Sequence, residues 1–171
     1  MRPQVYLIAA LLVVPACDRA QQTAPSLSEE EVAEQLAKVE IEPGQWETVT
    51  EIVSAEGPLP KEALQQMTGR RDTVSNCITP EQAKRPSANF LAAQQKSECT
   101  YQEFRVDNGQ IQGRMSCSGG ELPGRMQTAM KGRYEPKRYD IMMDMETSPL
   151  PGAGPMKIRT RTRGERVGEC S

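Results

Sequence analysis

The sequence predicts a mainly β fold: a curved antiparallel meander sheet or partly closed barrel, with an N-terminal helix and disulfide bridges. Three observations carry this. Short runs of alternating apolar and polar residues follow one another with turns and no long helix between them, as in an antiparallel sheet solvated on one face. Asn108-Gly109 separates two such runs, residues 98–107 and 110–118, and both residues tolerate the positive φ of a tight hairpin turn. Four cysteines, Cys77, Cys99, Cys117 and Cys170, lie downstream of an export signal, an even number that reads as two disulfides.

The chain begins with its address. Residues 1–16 read as a signal peptide: Arg2 precedes an apolar run, 5–14, that is short of the ~20 residues a membrane-spanning helix needs. Val14-Pro15-Ala16-Cys17 resembles a bacterial lipobox, in which cleavage precedes the cysteine and the thiol takes a diacylglyceryl group. Pro15 departs from the usual Ala, Ser or Thr, and ordinary signal cleavage is the alternative. On the lipobox reading Cys17 is the lipidated residue, 17–26 form a polar tether, and a single domain fills 27–171. Two or more acyl chains hold a protein durably at a bilayer. The expectation is a periplasm-facing cell-envelope lipoprotein, its membrane, inner or outer, left open by Asp18.

A helix over 28–39 opens with Ser28 as cap, Glu31 three residues on, and Leu27 and Val32 in staple positions. Val32, Leu36 and Val39 form one narrow apolar stripe suited to lying on a sheet. Pro43-Gly44 ends it. Residues 45–53, rich in β-branched side chains around Trp46, are the first strand. A short helix over 61–68, a strand over 70–78 and a helix start at Thr79-Pro80 follow. Residues 83–97 are poorly patterned, with some helix near 90–93. Then come the hairpin and strands over 125–134, 139–147 and 156–163, separated by Gly- and Pro-rich breaks. No repeat is present.

The hairpin constrains the cysteines. A two-residue turn pairs Val106 with Ile111, Phe104 with Gly113 and Glu103 with Arg114. Phe104, Val106, Ile111 and Met115 then face inward, and Glu103, Arg105 and Arg114 outward. In an unbroken ladder Cys99 falls opposite Ser118, on the other face from Cys117. A three-residue loop would align the two cysteines but set Phe104 against Gln112. Of the two remaining connectivities the expected one is Cys77–Cys99 with Cys117–Cys170, since neither bridge requires the chain ends to cross the hairpin.

Several segments, in order, resemble a known family: Ile41-Glu-Pro-Gly-Gln-Trp-Glu47, Cys77-Ile-Thr-Pro-Glu-Gln82, Cys99-Thr-Tyr101, Gly109-Gln-Ile-Gln-Gly-Arg-Met-Ser-Cys117, Met130-Lys-Gly-Arg-Tyr134, Tyr139-Asp-Ile-Met-Met-Asp-Met145 and Arg163-Gly-Glu-Arg-Val-Gly-Glu-Cys170. Over about residues 41–170 the chain resembles the uncharacterised bacterial family known as domain of unknown function 3617. The resemblance implies a small exported or lipid-anchored protein and brings no activity or cofactor.

Composition narrows the chemistry. The chain has no histidine, the commonest general base and metal ligand. No phosphate loop, G-x-S-x-G elbow or cysteine nucleophile motif is present, so no catalytic residue is assigned and the expectation is not an enzyme. Asp140 and Asp144 share a strand face as solvated acids. Residues 18–66 carry eleven acidic against three basic side chains and 124–168 ten basic against five acidic, a dipolar surface rather than a nucleic-acid-binding one.

Two features invite a binding role. Seven of nine methionines lie between Met115 and Met156. Met115, Met130, Met143, Met145 and Met156 are candidates for facing an apolar ligand or soft metal, against the simpler reading of core filler that replaces sparse aromatics; Met142 alone falls on the charged face. Lys157, Arg159, Arg161 and Arg163 form a basic row suited to anionic head groups, against the simpler reading of pairing with Asp140, Asp144 and Glu146. No metal or cofactor is assigned. The expected role is a non-catalytic binding or interaction module of the envelope, its partner an envelope protein or small apolar ligand; the alternative is a hydrophobic-ligand or soft-metal carrier using the methionine face.

Overall fold

The structure, a computed structural model, describes residues 26–84, 97–119, 124–148 and 154–170. The signal peptide, Cys17, most of the tether and the helix expected near 90–93 lie outside the described residues. The elements in chain order are β1 (Ser26–Leu27), α1 (Glu29–Leu36), β2 (Gly44–Glu56), α2 (Lys61–Met67), β3 (Arg71–Ile78), α3 (Pro80–Lys84), β4 (Ser97–Asp107), β5 (Gln110–Gly119), β6 (Arg125–Glu135), β7 (Arg138–Thr147) and β8 (Lys157–Gly168). The strands form one antiparallel sheet in the order β1-β4-β5-β6-β7-β8-β2-β3. Strands β4 to β8 are the expected meander. The unexpected step is that β2, with β3 folded back on it, pairs with β8.

Local chemistry explains the helix. Ser28 Oγ accepts from the Glu31 amide, and Glu31 Oε2 accepts from the Ser28 amide at 2.7 Å, so two unpaired donors are satisfied reciprocally. Thr79 and Gln82 repeat the device at α3. Eight residues make a marginal helix in water, so α1 persists by packing. Val32, Leu36 and Val39 are buried on the sheet with Trp46, Tyr101, Phe104, Val106, Ile111 and Tyr134. Trp46 stacks on Tyr139 with ring centroids 5.8 Å apart and donates its indole N–H to the Glu42 carbonyl. Tyr139 lies across Gly164, where a Cβ would come within 2.2 Å of its ring. Glycine there lets the aromatic cover the strand.

The hairpin forms as expected around Asn108-Gly109, with Val106 opposite Ile111 and the inward and outward faces as read. Its ladder is not continuous. At Glu103, which has φ 53°, a β-bulge inserts one residue into β4, and beyond it Gln102 pairs with Arg114 and Cys99 with Cys117. Phe104 fits at the bulge because Gly113 has no side chain; a Cβ there would meet the phenyl ring at 2.6 Å.

This corrects the disulfides. The bridges are Cys99–Cys117 and Cys77–Cys170, with Cα separations of 4.1 and 5.5 Å, not Cys77–Cys99 and Cys117–Cys170. The bulge returns both hairpin cysteines to one face without altering the turn. Cys77 cannot reach Cys99, because β3 and β4 are separated by five intervening strands, whereas bonded cysteines need Cα atoms within about 7 Å. Instead β2 sits between β3 and β8, with Gln45 paired to both Cys77 and Gly168, which brings the C-terminal Cys170 beside Cys77.

Candidate functional site: a charged trough across the sheet

Strand alternation divides the sheet into two chemically different faces. One carries the core. The other presents cross-strand rows of mostly polar side chains, two of which run through six adjacent strands. The first row is Gln102, Arg114, Ala129, Asp144, Arg159 and Ser54, and the second is Thr100, Ser116, Gln127, Glu146, Lys157 and Glu56. Both rows line a single hollow of about 870 Å³. Its outermost contributors, β4 and β2, have four strands between them in the sheet yet bound the same hollow. The result is a trough whose floor is amide, hydroxyl and paired charge.

The basic row of β8 is neutralised across the sheet. Lys157 pairs with Glu146 at 3.8 Å and Arg159 with Asp144 at 2.5 Å. Arg161 grips both oxygens of Asp140, at 2.9 and 2.5 Å, and Arg163 turns instead to Glu51 at 3.5 Å. Hydrogen bonds from Arg161, reinforced by the charges of Arg161 and Arg163, hold the Asp140 carboxyl below the usual carboxylate range. An anion so held is a poor proton acceptor at neutral pH. The ladder orders the face, with each of these cations held by a carboxylate.

The methionines divide. Met115 and Met130 are buried in the core, Met143 packs against it opposite Met130, and Met145 and Met156 are half-buried. All but Met156 stand on the core face of their strands, while Met142 stands on the charged face opposite Arg161, as its parity requires. The trough is lined mainly by charged-face residues, with Met115 and Met145 of the core face also bordering it. No three acidic or cysteine side chains come together as a metal site among the described residues. Cys99 borders the trough but is bridged to Cys117.

Sequence reading did not single out Gln102, Ser116, Gln127, Ser54 and Glu56. Their parity was visible strand by strand; that they share one floor follows only from the strand order. Burial drives the phenol of Tyr134 toward its neutral form, as it does more weakly for Tyr139, whose hydroxyl bonds Thr48 at 2.8 Å. These tyrosines belong to the packing of the opposite face.

The model of the family described as protein of unknown function (DUF3617) matches residues 41–170. No match was found among curated proteins or among solved structures.

Proposed function

The chain belongs to the DUF3617 family, proteins of unknown function, and from the geometry of its sheet we propose that it is a non-catalytic binding module of the cell envelope that receives a polar ligand in the trough. The observation that carries this is the pair of six-strand rows lining one hollow. Its hydroxyl and amide side chains offer both donors and acceptors, and its ion pairs supply pre-oriented charge, as in a site that fixes a polar ligand by a few placed groups. Asp140 and Asp144, the carboxylates best placed for proton transfer, are each bound to an arginine, which favours a structural role for both.

On this reading Cys17 carries the lipid, and the tether lets the domain work beside a bilayer on the periplasmic side. The hydrophobic-ligand alternative draws less support, because Met115, Met130 and Met143 pack into or against the core, and of the five candidates only Met115 and Met145 border the trough. Native mass spectrometry of protein extracted from its own cells tests the trough. A polar adduct is expected on the unaltered chain and should be lost when Ser116→Trp and Ala129→Trp fill the floor. An apolar adduct that survives both substitutions would favour the carrier reading instead. Radiolabelled palmitate incorporation that disappears with Cys17→Ser tests the anchor separately.

A further inference from the structure

Along the same face, beyond the trough, two further rows line a second hollow of about 600 Å³. One row is Arg105, Gln112, Lys131, Met142 and Arg161, and the next is Asp107, Gln110, Arg133 and Asp140. Its charges are handled differently from those of β8. Arg159, Arg161, Arg163 and Lys157 each have a carboxylate partner. Arg105, Lys131 and Arg133 make no salt bridge among the described residues. Three carboxylates lie near them, and Glu135 is held below the usual carboxylate range by its hydrogen bond to Arg138, with the charge of Arg133 contributing. Asp140 has both oxygens held by Arg161, and Glu135, beside Arg133, is held by Arg138 at 2.8 Å. Asp107 is itself part of the lining of the hollow, two residues from Arg105 on the same face.

The register gives the spacing. Arg105 and Lys131 flank Gln112 in one row, two strand spacings or ~10 Å apart at the backbone. Arg133 lies two residues along β6 from Lys131, ~7 Å away. Long side chains rooted at these points can converge over Gln112 and Gln110, whose amides add neutral donors. Three cations outside any salt bridge among the described residues, with two amides, are a donor set for a compact, multiply charged oxyanion, because guanidinium forks match phosphate oxygens and the ammonium adds a point charge.

We propose that this hollow is a phosphate-type oxyanion site, and that it recognises the anionic group of a ligand lying along the charged face. The inference rests on that face being the binding face, and it names the chemical class the ligand must carry. The phosphate can belong to a soluble molecule or to a lipid head group, and the experiment separates the two sources.

Titrating the isotopically labelled full chain with inorganic phosphate and with pyrophosphate at low ionic strength, followed by NMR, should give saturable shifts confined to β4, β5 and β6. Pyrophosphate should bind more tightly than phosphate. Lys131→Gln should weaken binding about fivefold, as for one cation beside an anionic group. Arg105→Gln, Lys131→Gln and Arg133→Gln together should weaken it by about two orders of magnitude. Arg159→Gln, the same charge change on a neutralised cation, should leave it within about twofold. Equal losses in Arg159→Gln and Lys131→Gln would reduce the effect to net charge and overturn the site. Phosphatidylglycerol vesicles, compared with phosphatidylcholine vesicles, supply the second arm. Binding to the anionic vesicles that the triple substitution abolishes, without binding of free phosphate, assigns the oxyanion to a head group; binding of neither overturns the proposal. Because Ser116, Gln127 and Ala129 are untouched by these substitutions, loss of the oxyanion site leaves the trough reading to be judged on its own adduct.

Discussion

Substituting Glu103 by glycine tests the bulge that reconciles the hairpin turn with the Cys99–Cys117 bridge. Glycine inside a strand ordinarily costs about 0.5–1 kcal/mol relative to alanine through lost chain entropy. Glu103 is different, because its φ of 53° is left-handed backbone, which costs an L residue roughly 1–2 kcal/mol that glycine does not incur. Against that relief stand the entropy term and the Glu103–Arg114 pair, 3.5 Å apart with both side chains more than half exposed, which contributes at most ~1 kcal/mol. Glu103→Gly should therefore be near neutral or slightly stabilising. Arg105→Gly, two residues on in the same strand with no positive φ, should lose about 0.5–1 kcal/mol. Urea unfolding under non-reducing conditions, followed by Trp46 fluorescence, reads both, since the chain's single tryptophan is wholly buried. If Glu103→Gly destabilises as much as Arg105→Gly, the bulge is absent and the two cysteines are not aligned as described.

Other consequences follow from the packing, the bridges and the ion ladder. Leu36→Ala, at a position 1% exposed, should cost about 2–5 kcal/mol in the same unfolding assay, because α1 depends on its apolar stripe. Non-reducing peptide mapping should recover Cys99–Cys117 and Cys77–Cys170; closing loops of 18 and 93 residues, they constrain the unfolded chain by about 3.2 and 4.6 kcal/mol in the loop-entropy model. Because the folded Asp140 carboxyl is held low, its contribution is present above its unfolded value of about 3.9 and is lost as pH falls through the folded value. Asp140→Asn should flatten the fall in stability below about pH 4, by less than ~1 kcal/mol for a pair this exposed, as measured by urea midpoints across pH.

Which features could be read from the chain follows from how local their causes are. The capping box of Ser28 and Glu31, the stripe of Val32, Leu36 and Val39, and the Asn108-Gly109 turn are all decided within a few residues, and all are found where expected. Pairing of the β8 cations with acids on β7 was also legible, because adjacent strands of a meander share a known parity. The disulfides were not. One depends on a single inserted residue whose left-handed conformation no glycine announces, and the other on β2 joining β8 across more than a hundred residues. The trough was hidden for the same reason. Ser54 and Glu56 meet Arg159 and Lys157 only once β2 is placed beside β8.

On the proposed function, the charged face of the sheet, not the methionine face, meets the ligand. A photo-crosslinking residue placed in living cells at Gln127, on the trough floor, tests this against the same residue at Thr73, exposed on β3 outside both hollows. Adducts at Gln127 that are absent at Thr73, and that Ser116→Trp suppresses, are the predicted result. No adduct at Gln127, or equal adducts at both positions, would contradict it.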